Sequence, residues 1–333
     1  VSLIFFSHPQ FALHETGSWH PENPARLRAV HDAIELSGVK DGIVEIEPRA
    51  ATKKELDVIH PAGFIDALER FCLGGGGSID SDTIVVPASW EAALLAAGAG
   101  LEAIERLRAG EADAAFCAVR PPGHHAMPDR AMGFCLLSNA AITAATLANQ
   151  GERVLLVDYD AHHGNGTQAA FDADPRVLYV SFHEYPLYPG TGALFDIGTG
   201  EGRGSSINFP LPAGTTGDVM RTGIDMVLAA KVAEFNPTWL VLSAGFDAHR
   251  ADPLTSMGLS AGDFSDLTRD VLRFVPKGRV IAFLEGGYDL EALRDSTAAA
   301  LAGLLDERSY QEKPTSGGPG RNVVDDVAMI HLA

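Results

Sequence analysis

The chain has 333 residues, 46% hydrophobic and 21% charged, enough apolar material for a large core in one big α/β domain or two smaller ones. A formal charge of -19 at pH 7 argues against direct nucleic-acid binding through the protein's own field and is compatible with cationic substrates. No stretch approaches the roughly 18 apolar residues of a membrane span, no charged and then apolar leader opens the chain, and Cys72, Cys117 and Cys135 lie in apolar surroundings without CxxC spacing, so the expectation is a reduced, soluble, cytoplasmic protein without disulfides.

Residues 1–7 read as a short buried strand, after which a polar segment, 8–23, crosses to a helix starting near Pro24. Proline suits a first helical turn, and Leu27, Val30, Ile34 and Leu36 give that helix an apolar face. His14, His20 and Glu22 lie in the connecting loop, where the histidines read as surface residues. Residues 44–46 are strand-like, 52–58 form a helix capped by Thr52 with Glu55 three positions on, and 63–73 form another. The four glycines at 74–77 have no lysine after them and no strand before them, so they read as a mobile surface loop and not as a phosphate loop. A buried helix over 90–107 and a strand over 114–119 follow. That strand leads into Arg-Pro-Pro-Gly-His-His at 120–125, where two prolines and a glycine make a rigid loop at a strand's carboxyl end, the place where open α/β sheets put ligands.

Residues 138–150 read as a crossover helix into 154–166, Val-Leu-Leu-Val-Asp-Tyr-Asp-Ala-His-His-Gly-Asn-Gly. Here an apolar strand ends in Asp158, Asp160 and His162, which the strand period of two places on one face. Further strands are expected over 177–182, ending at His183, and over 207–211, 239–243 and 280–284, with a proline- and glycine-rich loop over 185–192 carrying Tyr188 and a long helix over 219–235. At least six strand-like runs with helices between most of them describe a parallel sheet covered on both faces. Only 315–321 looks like a tail or linker.

Two carboxylates and an imidazole converging at a buried strand end are costly unless a divalent metal neutralises them. Zinc with three protein ligands and one open position polarises a carbonyl and lowers the pKa of its water. Asp160 and His162 offer two ligands, and Asp247, after the strand at 239–243 and a flexible Ala244-Gly245, is the best third, with a helix cap as its competing role. Amide hydrolysis further needs a base, an acid and an oxyanion donor. His124 and His125 can supply the first two, and Tyr288, after Gly286 and Gly287, the third.

Together, 120–126 (Arg-Pro-Pro-Gly-His-His-Ala), 133–135 (Gly-Phe-Cys), 158–168 (Asp-Tyr-Asp-Ala-His-His-Gly-Asn-Gly-Thr-Gln), 245–247 (Gly-Phe-Asp) with Asp252-Pro253, and 285–288 (Glu-Gly-Gly-Tyr) resemble the zinc-dependent histone deacetylase family. His20-Pro21-Glu22 with Pro24 and Arg26-Leu27 fits as well. The resemblance runs collinearly over roughly 18–305 and leaves 306–333 as a C-terminal extension of a single deacetylase-like domain. It implies the arginase/deacetylase fold, a three-layer α/β/α domain with an eight-stranded, mainly parallel sheet, and hydrolysis of an acetylated amine. It also implies that Asp160, His162 and Asp247 bind one Zn2+ per chain, with Fe2+ an alternative in cells. His125 becomes general base and then acid, His124 paired with Asp158 stays largely electrostatic, and Tyr288 polarises the acetyl carbonyl. Gly133, Phe134 and Tyr188 line a tunnel for the aliphatic stem, with Asp82 or Thr83 near its rim and Arg26 on the acetate side. A structural K+ uses oxygens around Asp158, Asp160 and His162 with Ser181 and Phe182.

Asn165, where class I members usually carry aspartate, resembles the class II-like branch, as do Gly166-Thr167-Gln168, and its amide leaves the pKa of His125 less elevated. Leu254 stands after Asp252-Pro253, where polyamine deacetylases tend to place an acid. That favours acyl-lysine or another acylated amine and keeps acetylpolyamines as the alternative, with a homo-oligomer open. The arginase branch would need aspartates at the positions of Gly164 and His249, and a non-catalytic acyl-ligand binding module is the remaining rival.

Overall fold

A computed structural model describes residues 2–308 and 311–332; Val1 of the expected first strand and Ser309, Tyr310 and Ala333 of the C-terminal extension lie outside the described residues. The elements in chain order are β1 (Leu3–Phe6), α1 (Ala25–Leu36), β2 (Ile43–Ile46), α2 (Lys53–Leu56), α3 (Ala62–Leu73), β3 (Gly77–Ser78), β4 (Ile84–Val85), α4 (Pro87–Arg108), β5 (Ala114–Cys117), α5 (Asn139–Asn149), β6 (Val154–Asp158) and α6 (Asn165–Phe171). They continue with β7 (Val177–Glu184), β8 (Ser206–Leu211), α7 (Gly217–Gly223), α8 (Ala229–Phe235), β9 (Trp239–Ala244), α9 (Ala261–Leu272), β10 (Val280–Leu284), α10 (Leu290–Leu304) and α11 (Arg321–His331).

Eight strands form one sheet in the order β2-β1-β5-β10-β9-β6-β7-β8, and every neighbouring pair in it is parallel. The chain lays β1, β2 and β5 on one side and β6 to β8 on the other, then returns to insert β9 and β10 between β5 and β6. Four central strands therefore release their carboxyl-terminal loops side by side, at the point where strand order reverses.

Strand alternation builds the three layers. Phe5, Phe116, Leu155 and Val157 face one way and join α1, α7, α9, α10 and α11 in one core, whereas Phe6, Cys117, Val154 and Leu156 face the other way and join α4 and α5. A smaller cluster, including Leu56, Ile65, Cys72 and Trp90, fills the space beneath α2 and α3. The three cysteines are buried and free. Among the described residues no helix is long and apolar enough to cross a membrane.

Several expectations need correction. Strand β6 ends at Asp158, so Asp160 and His162 lie beyond the regular ladder, although Tyr159 and Ala161 still turn into the same core as Val157 and the alternation persists. The four glycines end α3 and open the antiparallel hairpin β3–β4; Gly76 (φ 73°) passes so close to Val85 that a Cβ would lie 2.2 Å from the Val85 carbonyl oxygen. The helix expected over 219–235 contains a π-helical turn, Ile224–Leu228, next to Gly223, which packs on the stacked Phe182 and Phe209 rings. His14 and His20 are buried, not on the surface, and so is Glu22: His14 and Glu22 belong to an ion-pair network described below, and the His20 ring lies against the Glu22 backbone with Nε2 2.8 Å from the Asp82 carbonyl oxygen. Residues 315–321 are docked: the Thr315 hydroxyl donates to Asp263 (2.7 Å), the Gly318 amide donates to Thr216 (2.8 Å), and α11 packs on β8 and α7.

Phe116, stacked on Phe5 at 5.7 Å and fully buried in β5, reports on this core. Phe116→Ala is expected to lower the unfolding free energy by about 3–5 kcal/mol in denaturant titration, and a loss under about 1 kcal/mol would contradict the packing described.

Candidate active site

The loops after β5, β6, β9 and β10 bring together Asp160, His162 and Asp247, all buried, with one potential ligand atom from each lying within 4.8 Å of the others. His162 Nδ1 is 3.1 Å from Asp160 Oδ1 and 2.9 Å from Asp247 Oδ2. The remaining carboxylate oxygens are held by backbone amides: Gly286 N–H donates to Asp160 Oδ2 (2.8 Å) and Ala161 N–H to Asp247 Oδ1 (2.8 Å). Two carboxylates and one imidazole suit a divalent cation with an open coordination position.

Close approach explains the neighbouring glycines. A Cβ on Gly245 would stand 2.0 Å from Asp160 Oδ2, and one on Gly286 2.2 Å from Asp247 Oδ2. Any side chain at either position would displace a carboxylate.

The protein's own charges leave this cluster unbalanced. Burial and then the like charge of Asp160 push the Asp247 carboxyl up to about 7, against the pull of His162. Asp160 goes the other way, because His124 and His162 overcome its burial. A cation would relieve the repulsion between the two acids.

The histidine pair stands beside the cluster with its rings 4.0 Å apart. His124 Nδ1 is 3.1 Å from Asp158 Oδ2, and His125 Nδ1 is 2.7 Å from Asn165 Oδ1. Burial opposes protonation of both. At His124 the carboxylates of Asp160 and Asp158 outweigh it and raise the pKa to about 10, whereas at His125 the neighbouring His124 and His162 add to it and the pKa falls well below its usual value. A neutral His125 donates from Nδ1 to the Asn165 oxygen and keeps Nε2 as a base. The loop bearing both is fixed by Glu285, which accepts from the amides of Gly123 (2.7 Å) and His124 (3.1 Å).

A cavity of about 240 Å³ leads in from the surface, lined by Asp82, His125, Gly133, Phe134, His162, Leu187, Tyr188, Leu254 and Tyr288. Phe134 holds φ at 68°, an unusual conformation for a bulky residue, and its amide donates to the Thr83 hydroxyl (3.2 Å). Gly133 must lack a side chain, because a Cβ would come 2.6 Å from the His125 ring. Tyr188 sits edge-on to His125 at 5.1 Å, and its loop is tied down where His163 Nδ1 meets Thr191 (2.8 Å) and His183 Nε2 donates to the Gly192 carbonyl (3.0 Å). Tyr288 lies edge-on to Phe134 at 5.8 Å and donates its backbone amide to Asp252 (2.7 Å).

One expected contact residue stands elsewhere. Thr83 is buried behind Phe134 and supports it, so the rim position belongs to Asp82. Arg26 stands behind the cavity: it donates to the carbonyls of Gly287 (2.7 Å) and Glu285, and its guanidinium carbon lies 5.1 Å from the Tyr288 ring centroid. Ser181 and Phe182 lie on β7, where Ser181 is in register with Asp158 of β6 and its hydroxyl meets His183 Nδ1 at 2.9 Å.

The sequence reading missed Leu187 as a wall of the cavity and Glu22 as the centre of the adjoining network. Glu22 is fully buried, bonds Arg120 (2.7 Å) and Arg26 (3.1 Å), and has His14 at 3.7 Å. Burial alone would raise its pKa, but Arg120 and Arg26 overcome that and lower it from 4.5 to about 2. The available signal was three titratable residues in a short loop before a helix with an arginine, Arg26, in its first turn. The positions that a second metal would require are closed: a Cβ at Gly164 would lie 2.2 Å from Asp158 Oδ2, and His249 is bonded to Glu312 (2.7 Å).

Residues 20–304 match the histone deacetylase domain family. The protein named "Probable deacetylase" from Archaeoglobus fulgidus is 37% identical, over 99% of this chain and 98% of its own length. The histone deacetylase-like amidohydrolase of Pseudomonas aeruginosa is 36% identical, over 81% of this chain and 72% of its own. Among solved structures, the HDA15 HD domain superposes with a TM-score of 0.91 at 35% identity, covering 99% of this chain and 94% of that one.

The Glu22 network makes a pH-dependent prediction. A carboxyl titrating at about 2 when folded and 4.5 otherwise contributes about 3 kcal/mol that is fully present above pH 4.5 and lost as pH falls through about 2. Glu22→Gln is expected to lower stability at pH 7 by about 3–5 kcal/mol, because Arg26 and Arg120 stay buried without their carboxylate, and to flatten the loss of stability below pH 4.5. Denaturant titrations at pH 7 and pH 3 check this; equal pH slopes for both proteins would contradict it.

Proposed function

The chain belongs to the histone deacetylase family, whose members are hydrolases acting on amides, and on that premise we propose that it is a metal-dependent amidohydrolase removing an acetyl or short acyl group from an acylated amine such as acetyl-lysine. The observation that carries this reading is the Asp160–His162–Asp247 convergence beside the His124–His125 pair at the floor of a narrow, aromatic-walled cavity. Asp160, His162 and Asp247 would hold one Zn2+, or Fe2+ in cells, and when bound it supplies Lewis acidity toward the amide carbonyl and the attacking water.

The protein's own groups divide the remaining work. Phe134, Tyr188 and Gly133 hold a methylene stem by apolar contact and exclude water from it. His125, neutral and oriented by Asn165, takes the proton of the attacking water at Nε2 and returns it to the leaving amine nitrogen. His124, held protonated by Asp158 and Asp160, contributes fixed positive charge beside the developing negative oxygen. The Tyr288 hydroxyl donates to the same oxygen; burial keeps it protonated by raising its pKa. A structural K+ would draw on oxygens of Asp158, Asp160, His162, Ser181 and Phe182, a reading supported by the Asp158–Ser181 register.

Asp82 at the mouth favours a second reading, an acetylpolyamine whose distal ammonium pairs with that carboxylate. Leu254 at the same mouth favours the acyl-lysine reading.

Zinc-loaded protein is expected to release a fluorophore from an acetyl-lysine amide, to be blocked by a hydroxamate, and to lose at least about 100-fold in kcat in His125→Ala and Tyr288→Phe. Release no faster than that of the two variants would instead indicate an acyl-ligand binding module. Comparing kcat/KM for an acetyl-lysine peptide, acetylputrescine and acetylspermidine assigns the amine; a preference for the peptide that Asp82→Asn leaves intact would exclude the polyamine reading. Metal analysis should find about one ion per chain, and two manganese ions would contradict the proposed site.

A further inference from the structure

The segment that follows the matched deacetylase domain is bonded to the loop that carries Asp247. We propose that residues 311–320 are a positioning element for this loop, acting through Glu312 on His249; the inference rests on the assignment of Asp247 as a metal ligand. Between β9 and α9 that loop contains Asp247 itself, Asp252, which accepts the backbone amides of Tyr288 (2.7 Å) and Leu254 (3.0 Å), and Leu254 at the cavity mouth. The Thr255 hydroxyl closes the loop onto the Asp247 carbonyl. Moving it would disturb a ligand, the carbonyl-polarising tyrosine and the mouth together.

His249 is the hub of the loop. It is buried; its amide donates to the Phe246 carbonyl (3.2 Å), its carbonyl accepts from Asp252 (2.9 Å), and its ring Nδ1 accepts from the Ala251 amide (3.1 Å). With Nδ1 used as an acceptor, Nε2 carries the proton and needs an acceptor of its own. Glu312 Oε2 provides it at 2.7 Å, and the same carboxylate takes Arg250 and the first amide of α9, Ala261 (3.2 Å). One tail carboxylate thus joins two loop side chains to the start of the next helix.

The tail is itself held in place, so it can act as a fixed point. The Ser260 hydroxyl donates to the Lys313 carbonyl (2.7 Å), Thr315 bonds Asp263 through both its amide (2.9 Å) and its hydroxyl (2.7 Å), and the Thr215 hydroxyl donates to the Pro319 carbonyl (3.0 Å). At Gly262 there is no room for a side chain, because a Cβ would meet the Glu312 carbonyl oxygen at 2.3 Å. Beyond it, Val324 and Val327 of α11 are buried in the core shared with β8. His249 occupies the position where a second metal ligand would stand in the arginase branch, and here its ring is used to hold the tail.

The test uses the full chain as Glu312→Ala and Glu312→Gln, with Arg321→Ala as a control beyond the positioning segment that removes an exposed pair with Asp325 and a contact with the Met226 sulfur, neither of them on the 245–256 loop. Zn2+ affinity is measured by chelator competition, hydrogen exchange is followed over 245–256, and the melting temperature is taken with and without Zn2+. Glu312→Ala is expected to weaken Zn2+ binding about tenfold, speed exchange in the loop and shrink the Zn2+-induced rise in melting temperature, while Glu312→Gln, which keeps an acceptor for His249, retains most of the affinity. A Glu312→Ala protein that melts lower by the same amount with and without Zn2+, at wild-type Zn2+ affinity, would overturn the proposal and make the tail a stabiliser only. Should Glu312→Ala not fold, Glu312→Gln and Arg321→Ala that weaken Zn2+ binding to the same extent would overturn it as well. Asp247→Ala separates the two readings: if it keeps full Zn2+ affinity, the metal assignment fails, whereas if it loses the metal and Glu312→Ala does not, only the tail inference fails.

Discussion

Four carboxylates, Asp158, Asp160, Asp247 and Glu285, are completely buried at the carboxyl ends of three adjacent strands, β6, β9 and β10, and the rest of the site is organised around offsetting their charge. Backbone amides take one share: those of Gly286 and His162 at Asp160, Ala161 at Asp247, and Gly123 and His124 at Glu285. Imidazoles take another, His124 between Asp158 and Asp160 and His162 between Asp160 and Asp247. Such an arrangement is stable only if each acid is fully partnered, and the Asp247 carboxyl, pushed up to about 7, marks where the protein's own partners fall short. The same shortfall is what a bound cation would offset.

A second buried cluster of opposite sign stands next to it. Glu22 sits between Arg26 and Arg120, and the surplus positive charge is turned on backbone oxygens, those of Gly287 and Glu285 from Arg26 and of Phe11 and His14 from Arg120. Arg26 therefore fixes the end of β10 and lies over the Tyr288 ring. An arginine with a planar fork of donors can hold two carbonyls and a carboxylate at once, which a lysine in the same place could not. The N-terminal loop, remote in sequence from Asp160, His162 and Asp247, thereby becomes part of the wall behind Tyr288.

Much of this was legible before any coordinates. The apolar runs of β5, β6, β7, β9 and β10, each ending in polar residues, identify a parallel sheet with its chemistry at the carboxyl edge, because a strand buried on both faces must be apolar throughout. Asp160, His162, Asp247 and the histidine pair could be singled out because they directly follow such strands, at the edge where open α/β sheets place their ligands. Less legible were Glu22 and His14, which look like ordinary loop residues, since their burial depends on arginines from α1 and from the end of β5. Thr83 was placed with Asp82 near the rim by the family resemblance, but it acts one layer behind it, where its hydroxyl holds the Phe134 amide.

By itself the sequence determined the local facts: which runs are strands, which helices cap where, and which residue types could carry a metal, a base and an oxyanion donor. Periodicity and turn chemistry are short-range, so they can be read from a window of a few residues. Only the tertiary structure decided that β9 and β10 return to lie between β5 and β6, which brings Asp247, Tyr288 and Glu285 to Asp160 and His125. It also decided that Glu312 is the acceptor for His249. Those pairings join residues far apart in the chain, and they follow from which faces bury against each other and which buried charges find partners, quantities that belong to the packed chain as a whole.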